Sequence, residues 1–265
     1  MNILEQIIND TRKGLVDKEK LNSALKLRKQ AEEKAQTDIP HRFVSALSTG
    51  SMEIIAEVKK ASPSKGVICE HFYPLFFAKQ YEQGGAAAIS VLTEEKYFQG
   101  QLNYLDEISR FIGLPTLRKD FIVDPYQVYE AVLNSASAIL LIVAALEPQK
   151  LADLQQLAHS LNLDALVEVH NEKELEIAMS AGAEIIGVNN RNLETFETTL
   201  ETSVRLSSQM PDSVIRVSES GIFTRDHMTM LRDAGFNAAL IGESLMRKHD
   251  KDAFLRELLG RNHVD

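Results

Sequence analysis

The sequence has one cysteine, Cys69, and no tryptophan among its 265 residues. A single cysteine cannot form an intramolecular disulfide bond or a cysteine-rich zinc site, so we expect a protein of the reducing cytoplasm. Prolines number only seven, while hydrophobic residues make up 44% and charged residues 25% of the chain. This composition is that of a folded globular protein, because a disordered chain would lack the apolar residues that form a core.

Long hydrophobic segments and an excess of positive charge are also missing. The longest apolar run, from Ala136 to Leu146, is well short of the roughly 20 residues that span a bilayer. Residues 1–13 mix charged with apolar side chains, unlike a secretory signal. The 29 Lys and Arg residues against 38 Asp and Glu give a formal net charge of −9, which argues against general nucleic-acid binding. We therefore expect neither a membrane nor a nucleic acid as partner.

The common cofactor and metal motifs are absent as well. There is no glycine-rich dinucleotide or nucleoside triphosphate loop, no His-Glu-x-x-His and no Cys-x-x-Cys. The seven histidines are scattered without the spacing of metal ligands, and only His170, just past a predicted strand, is a candidate for a functional site. We expect no metal and no organic cofactor.

Short apolar runs alternate with amphipathic segments from residue 53 onward. The runs predict eight strands, at Glu53–Lys59, Ala86–Thr93, Leu114–Ile122, Ala138–Val143, Asp164–Val169, Glu184–Asn189, Val214–Glu219 and Ala238–Gly242. The spacing predicts helices at Tyr73–Gly84, Pro125–Asn134, Pro148–Leu161, Asn171–Ala181, Leu200–Gln209 and Thr224–Ala234. Strands that are apolar on both faces indicate a parallel sheet covered by helices. Eight units in roughly 210 residues favour an α/β fold of the closed (β/α)₈ barrel type over a doubly wound open sheet.

Residues 1–52 are helical in pattern and predict an N-terminal helical extension to a single barrel domain over residues 1–265.

Charged and polar residues interrupt the apolar runs near the carboxyl ends of the predicted strands, where barrel enzymes place their active sites. They include Glu57, Lys59, Lys119, Glu168, Asn189, Arg191 and Glu219. Glu57 and Lys59 are two residues apart and so point to the same face of their strand. A single charge of this kind could be a salt bridge that packs the barrel rim. Several carboxylates and cations that converge at one mouth instead indicate a catalytic site, because buried charges need compensation.

Two loops after the last two predicted strands have the character of phosphate sites. They are Ser218–Phe223 and Gly242–Met246, whose small residues would let backbone N–H groups approach an anion. The early loop at Ser62–Gly66 adds hydroxyl groups and Lys65, and we expect it to be mobile.

These residues resemble those of the indole-3-glycerol phosphate synthase family over nearly the whole chain. The resemblance rests on the segments AEVKKASPSKG (from Ala56), LTEEKYFQG (Leu92), LRKDFI (Leu117), LVEVH (Leu166), GVNNRNL (Gly187), SESGI (Ser218) and LIGESLM (Leu240). It implies a (β/α)₈ TIM barrel with an N-terminal extension. It also implies conversion of 1-(2-carboxyphenylamino)-1-deoxyribulose 5-phosphate to indole-3-glycerol phosphate, CO₂ and water in tryptophan biosynthesis. Such an enzyme is a carboxy-lyase that needs no cofactor.

The resemblance also implies roles for individual residues. The catalytic residues would be Glu57, Lys59, Lys119, Glu168, Asn189 and Glu219, and the substrate-binding residues Ser62, Phe98, Arg191, Ser220, Gly221 and Gly242. Lys119 would protonate the substrate ketone and would have Glu57 as a partner. Lys59 and Glu168 would share the later proton transfers in an order that stays open. Glu243 stands where some relatives have serine, which leaves a hydroxyl contact to phosphate open.

Two other functions are compatible with a phosphate-binding barrel. One is an isomerase or epimerase, such as phosphoribosylanthranilate isomerase, which would not need so many cations. The other is a barrel that binds a ligand without catalysis, against which the intact Glu57, Lys59, Lys119 and Glu168 argue. We expect a monomer with a small phosphorylated substrate as its partner.

Overall fold

The computed structural model describes residues 2–192 and 195–261. Met1, the first residue of the predicted extension, lies outside these ranges. The strands are β1 (Glu53–Val58), β2 (Ala61–Ser62), β3 (Gly66–Val67), β4 (Ala88–Leu92), β5 (Thr116–Lys119), β6 (Ala138–Ile142), β7 (Asp164–Val169), β8 (Ile185–Asn189), β9 (Ile215–Glu219) and β10 (Ala238–Ile241). Strands β1 and β4 to β10 are parallel to their neighbours, and β10 pairs back with β1 to close a barrel. The predicted (β/α)₈ barrel is therefore confirmed.

Helices connect the barrel strands and cover them from outside. They are α4 (Pro74–Gln83), α5 (Leu102–Phe111), α6 (Pro125–Leu133), α7 (Pro148–Ser160), α8 (Glu172–Ser180), α9 (Glu201–Ser207), α10 (Arg225–Asp233), α11 (Glu243–Met246) and α12 (Lys251–Leu259). All six predicted helices are present. The helices α5, α11 and α12 are not among those predicted, although Leu105 and Ile108 recur three residues apart on the buried face of α5.

The barrel interior is built in layers, because alternate residues of each strand point inward and neighbouring strands are staggered. The register places Ile55, Leu117, Leu166 and Val217 in one layer and Ser90, Leu140, Gly187 and Leu240 in the next layer toward the carboxyl ends. Phe43 and Leu47 of α3 (Arg42–Leu47) are fully buried against the interior residues near the strand starts. The lower barrel is thus a packed apolar core.

The predicted N-terminal extension is helical and consists of α1 (Ile3–Leu21), α2 (Ala24–Ala35) and α3. Helix α2 packs against α6, and Lys18 of α1 forms an ion pair of 3.0 Å with Glu130 of α6. Asp10 of α1 forms a second ion pair of 2.7 Å with Lys96, which lies in the loop after β4. These contacts hold α1 across the side of the barrel where the strands end. None of the helices in the described ranges is long and apolar enough to cross a membrane.

Candidate active site

A cavity of about 180 Å³ opens at the carboxyl ends of the barrel strands. Every residue predicted for the site lines it: Glu57, Lys59, Ser62, Phe98, Lys119, Glu168, Asn189, Arg191, Glu219, Ser220, Gly221 and Gly242. These residues come from β1, β5, β7, β8, β9 and the loops that follow the strands. The fold therefore brings together side chains that are as far as 185 positions apart in the chain, from Glu57 to Gly242.

The floor of the cavity is a layer of four ionisable side chains. Glu57, Lys119, Glu168 and Glu219 occupy the inward positions of β1, β5, β7 and β9, directly above the layer that contains Leu140 and Leu240. The carboxylates are 5%, 3% and 2% exposed for Glu57, Glu168 and Glu219. Buried carboxylates at positions that could hold leucine or valine indicate a functional layer rather than a packing layer.

Lys119 is the cation at the centre of this layer. Its Nζ lies 3.1 Å from Glu168 Oε2 and 3.4 Å from Glu219 Oε2. Burial alone would lower the pKa of Lys119, but the carboxylates of Glu168, Glu219 and Glu57 outweigh burial and raise that pKa above its ordinary value. Lys119 is therefore an ammonium ion at neutral pH.

The expected pairing of Lys119 with Glu57 is wrong. Glu57 Oε2 instead accepts a hydrogen bond of 2.5 Å from Lys59 Nζ. Glu57 and Lys59 share one face of one strand, so Lys59 reaches Glu57 without crossing the barrel. Lys119 turns to the carboxylates on the other side of the layer, and Glu57 affects it only through its charge.

Glu168 has a donor or a cation on each of its oxygens. Oε2 faces Lys119, and Oε1 accepts a hydrogen bond of 3.1 Å from Asn189 Nδ2. Behind the layer, His170 Nε2 lies 3.3 Å from the same Oε1. Burial would raise the pKa of Glu168, but Lys119, His170 and Asn189 together lower it well below its usual range. Glu168 therefore stays a carboxylate beside Lys119, even though Lys119 carries a proton that it could donate.

Glu219 is the carboxyl group of the layer that has one buried oxygen without a partner in the described ranges. Its Oε1 is buried and makes no hydrogen bond within the described residues. Burial raises the pKa of Glu219 to about 7, because Lys119 offsets burial only in part and the charges of Glu168 and Glu57 oppose a third anion. The sequence analysis did not single out Gly187 on its own, although a Cβ atom there would collide with Glu219 Oε1. Gly187 makes room for this carboxyl group.

The two predicted phosphate loops lie side by side at the cavity. Ser220 and Gly221 have consecutive positive φ angles of 69° and 80°, a left-handed conformation that only glycine adopts without cost. Ser244 Oγ donates a hydrogen bond of 2.9 Å to the carbonyl of Ile222 and so connects the second loop to the first. Gly242 lies against the catalytic layer, because a Cβ atom there would collide with Glu57 Oε2.

Ser62 and Lys65 belong to a short hairpin rather than an irregular loop. Strand β2, which ends at Ser62, pairs in antiparallel fashion with β3, and Ser62 lies opposite Gly66. Ser62 lines the cavity, whereas Lys65 is exposed.

Glu243 points toward arginines at the edge of the cavity. Its carboxylate lies 3.0 Å from Arg247 Nη2 and 3.8 Å from Arg191 Nη2. Arg191 is itself positioned by a hydrogen bond of 3.1 Å from its backbone N–H to Asn189 Oδ1. The negative charge of Glu243 is therefore compensated, and the backbone at Gly242 stays available to an anion.

Apolar side chains form the opposite wall. Phe98 and Phe121 lie with ring centroids 6.0 Å apart, and both line the cavity. Ile3, Leu4 and Ile7 of α1 extend this wall. The sequence analysis did not predict these three residues for the site. The only available signal was the apolar spacing Ile3, Leu4, Ile7 at the start of a helix, which does not say what the helix covers.

Arg118 and Asp120 flank Lys119 in sequence but serve a different purpose. Arg118 is 2% exposed and points out of the barrel, where its Nη2 lies 3.0 Å from both Asp120 Oδ2 and Glu130 Oε2. Glu130 also binds the half-exposed Lys18, so this network ties β5 to the N-terminal extension. The alternation of the strand turns Lys119 inward and its neighbour Arg118 outward.

No group of three or more His, Cys, Asp or Glu side chains in the described ranges is arranged to hold a metal ion. The charged layer already neutralises its carboxylates with Lys59 and Lys119. The site offers two lysines, one stable carboxylate and one carboxyl group with a raised pKa, which suits proton transfer in both directions.

Comparison with known proteins gives evidence on the family of this chain that is independent of the site geometry. The family model described as indole-3-glycerol phosphate synthase matches residues 4–258. A protein of that name from Chloroherpeton thalassium is 48% identical over 250 residues, which cover 93% of this chain and 95% of the relative. The one from Roseiflexus sp. is 52% identical over 230 residues, covering 83% and 86%.

Similar solved structures include the 3-hexulose-6-phosphate synthase from Salmonella typhimurium, with a TM-score of 0.65 and 11% sequence identity over 80% of this chain and all of that one. The N-acetylmannosamine-6-phosphate 2-epimerase from Clostridium perfringens has a TM-score of 0.60 and 16% identity, over 75% of this chain and 89% of that one. At these identities the likeness concerns the fold alone.

Proposed function

The chain belongs to the indole-3-glycerol phosphate synthase family, and from this premise we propose how its residues carry out the reaction. The family converts 1-(2-carboxyphenylamino)-1-deoxyribulose 5-phosphate to indole-3-glycerol phosphate. A bond forms between the ring carbon that bears the carboxylate and the ketone carbon. The carboxylate then leaves as CO₂, and the former ketone oxygen leaves as water. The protein therefore has to donate a proton to the ketone oxygen, remove one from the ring intermediate and assist the loss of hydroxide.

Lys119 donates the first proton in this proposal. The observation that supports it best is the placement of the Lys119 ammonium between Glu168 and Glu219 on the floor of the cavity. An ammonium ion held there by carboxylates can hydrogen-bond the ketone oxygen and stabilise the negative charge that develops on it as the ring closes.

Lys59 and Glu168 serve the later steps. Glu168 is a carboxylate with a lowered pKa and accepts a proton from the intermediate once Lys119 has given up its own. Lys59, held by Glu57 at 2.5 Å, is placed to protonate the departing hydroxyl.

The remaining residues bind the two charged ends of the substrate. Backbone N–H groups at Ser220, Gly221 and Gly242, with Ser62 beside them, surround the phosphate. The guanidinium of Arg191 lies nearby and carries the positive charge for an anionic group of the substrate. The aryl ring lies against Phe98, and Asn189 and Glu219 contact the hydroxyl groups. We also propose that the chain acts in the cytoplasm, in keeping with its single cysteine. We further propose that it acts as a monomer with one barrel domain.

Replacement of Lys119 by methionine tests the central assignment. A general acid contributes about 10²- to 10⁴-fold, so Lys119→Met should lower kcat by that factor while substrate binding survives better. Lys79→Met, on the exposed face of α4, makes the same chemical change away from the cavity and should leave kcat unchanged. A folded Lys119→Met protein that keeps more than about a tenth of wild-type kcat would rule out the role of Lys119.

A further inference from the structure

His170 lies next to Glu168 of the catalytic layer and is not among the residues that line the cavity. It follows the end of β7, two residues after Glu168, and its side chain is 11% exposed. Its Nε2 is 3.3 Å from Glu168 Oε1, and its Nδ1 is 2.9 Å from Glu174 Oε2. The backbone N–H of His170 donates to the same Glu174 oxygen at 2.9 Å. The imidazole ring therefore lies between two carboxylates, one of which belongs to the site.

Two carboxylates within ion-pair distance of one ring favour its charged form. A neutral imidazole has one N–H and one lone pair, so it would turn a lone pair toward one of the two carboxylates. Nε2 makes no hydrogen bond within the described residues, so its contact with Glu168 at 3.3 Å is an ion pair, and only the imidazolium places a positive charge beside both carboxylates. Burial would lower the pKa of His170, but Glu168 and Glu174 outweigh burial and raise it to about 10. Asn171 Nδ2 holds the other oxygen of Glu174 at 2.7 Å, which keeps the outer carboxylate in place.

We propose that His170 is a positioning residue that keeps Glu168 ionised and aimed at Lys119 until Glu168 accepts its proton from the intermediate. The inference rests on the role proposed above for Glu168. When Lys119 gives its proton to the ketone, Glu168 loses its compensating charge on Oε2. His170 cannot follow, because it faces carboxylates rather than the cavity, so one cation stays beside Glu168 Oε1. The charged groups next to the Glu168–His170 pair are Lys119 from β5 and Glu174 from α8. Glu219 and Glu57 act on this pair indirectly, because they raise the pKa of Lys119.

The test compares His170→Gln with wild type by steady-state kinetics over a range of pH. Glutamine keeps a hydrogen-bond donor but removes the charge. The pKa of Glu168 should rise, so the acid limb of the kcat profile should move to higher pH, and kcat at neutral pH should fall by about 10- to 100-fold with little change in KM. Glu174→Gln should move the limb in the same direction by a smaller amount. His159→Gln in the last turn of α7 makes the same substitution away from the site and should change neither quantity.

The ring itself gives a readout that does not depend on turnover. In ¹⁵N NMR of the wild-type protein, both ring nitrogens of His170 should show the imidazolium form at about pH 8, where an ordinary histidine is neutral. A neutral His170 at that pH would overturn the inference even if the enzyme is active. So would a folded His170→Gln protein whose acid limb and kcat match wild type. If His170→Gln does not fold, an unmoved acid limb in Glu174→Gln would overturn it instead. A chain that turns over no substrate would refute the proposed function, while the NMR result would still decide the charge of His170.

Discussion

Three buried carboxyl groups share the mouth of the barrel, and their surroundings give them different protonation states. Glu168 has Lys119 on one oxygen and Asn189 on the other, so its charge is compensated. Glu219 faces Lys119 at a longer distance and leaves its second oxygen without a hydrogen bond in the described residues. One side chain is therefore suited to hold negative charge and the other to hold a proton, although both are glutamates on neighbouring parts of one layer.

This difference predicts opposite effects of two Glu→Gln substitutions on stability. The pKa of Glu219 is raised to about 7 in the native state. Between the ordinary pKa of a glutamate and pH 7, the unfolded chain therefore binds fewer protons than the native chain. The free energy of unfolding falls as the pH rises through this range. Glu219→Gln removes this loss. Thermal unfolding should give a Tm difference, variant minus wild type, that is more positive at about pH 8 than at about pH 5.

Glu168→Gln should behave in the opposite way. The pKa of Glu168 is lowered, so its ionised form stabilises the native state above the ordinary carboxyl pKa, and that contribution is lost as pH falls below it. The variant should be less stable than wild type at about pH 8, and the deficit should shrink in acid. Equal Tm changes for the two variants at every pH would contradict the assigned protonation states.

At this scale the sequence predicts which residues meet but not how they pair. Lys119 and Glu168 are recognisable because charges at strand ends of a barrel converge. The partner of Lys119 depends on which side chains share a layer. It also depends on Lys59, which forms an ion pair with Glu57 and so leaves Lys119 to Glu168 and Glu219. Gly187 carries no chemical group, so its role is visible only once the position of Glu219 is known.

Helix α1 is the element that turns an open barrel mouth into an enclosed site. Ile7 is 3% exposed and lines the cavity, whereas Val16 on the same helix is 55% exposed. The residues of α1 that line the cavity are apolar and extend the wall of Phe98, the residue proposed to contact the aryl ring.

Ile7→Ser should raise the KM for substrate about tenfold, because bound substrate would remove water from the new serine hydroxyl group in an apolar part of the cavity, at a cost of about 1–3 kcal/mol. Steady-state kinetics would measure this effect, and kcat should change less than KM. Val16→Ser on the exposed face of α1 is the matched control and should leave KM unchanged. An equally small effect of both substitutions would show that α1 does not contact the substrate.

The junction between β10 and α11 combines two requirements at Gly242. A side chain there would obstruct the proposed phosphate position, and its Cβ atom would also lie 2.9 Å from Lys59 Nζ and collide with Glu57. Gly242→Ala should therefore raise KM and lower kcat as well. Gly14→Ala in the middle of α1 has no heavy atom near the added methyl group and should leave both constants unchanged. A Gly242→Ala protein with wild-type kcat would show that the Glu57–Lys59 pair tolerates displacement.

Among the elements, the barrel strands are the best predicted, because runs apolar on both faces such as Ala138–Ile142 have few alternatives. The extension is predicted to be helical, and it is. Its place over the cavity depends on Asp10 and Lys18, whose partners Lys96 and Glu130 lie far away in the chain. Charged residues on a helix surface do not indicate such partners by their spacing.

The molecule as a whole separates stability from chemistry along the barrel axis. The layers of Leu117 and Leu140 below consist mainly of buried apolar side chains, on which the layer of charge rests. The buried Arg118–Glu130 pair and the half-exposed Lys18 connect β5 to the extension from outside the barrel. The fold thus places one set of ionisable groups between the apolar layers of the barrel and helix α1.

The central claim is that these groups alone close the indole ring, with Lys119 as proton donor. Its most direct measurement is the conversion of 1-(2-carboxyphenylamino)-1-deoxyribulose 5-phosphate by the purified protein after exhaustive chelation, followed by the fluorescence of the indole product. We expect full turnover in chelator by the wild-type and Lys79→Met proteins and a loss of about 10²- to 10⁴-fold in kcat for Lys119→Met. Wild-type turnover that disappears on chelation and returns with a divalent ion, or a Lys119→Met protein that forms indole at the wild-type rate, would contradict the account.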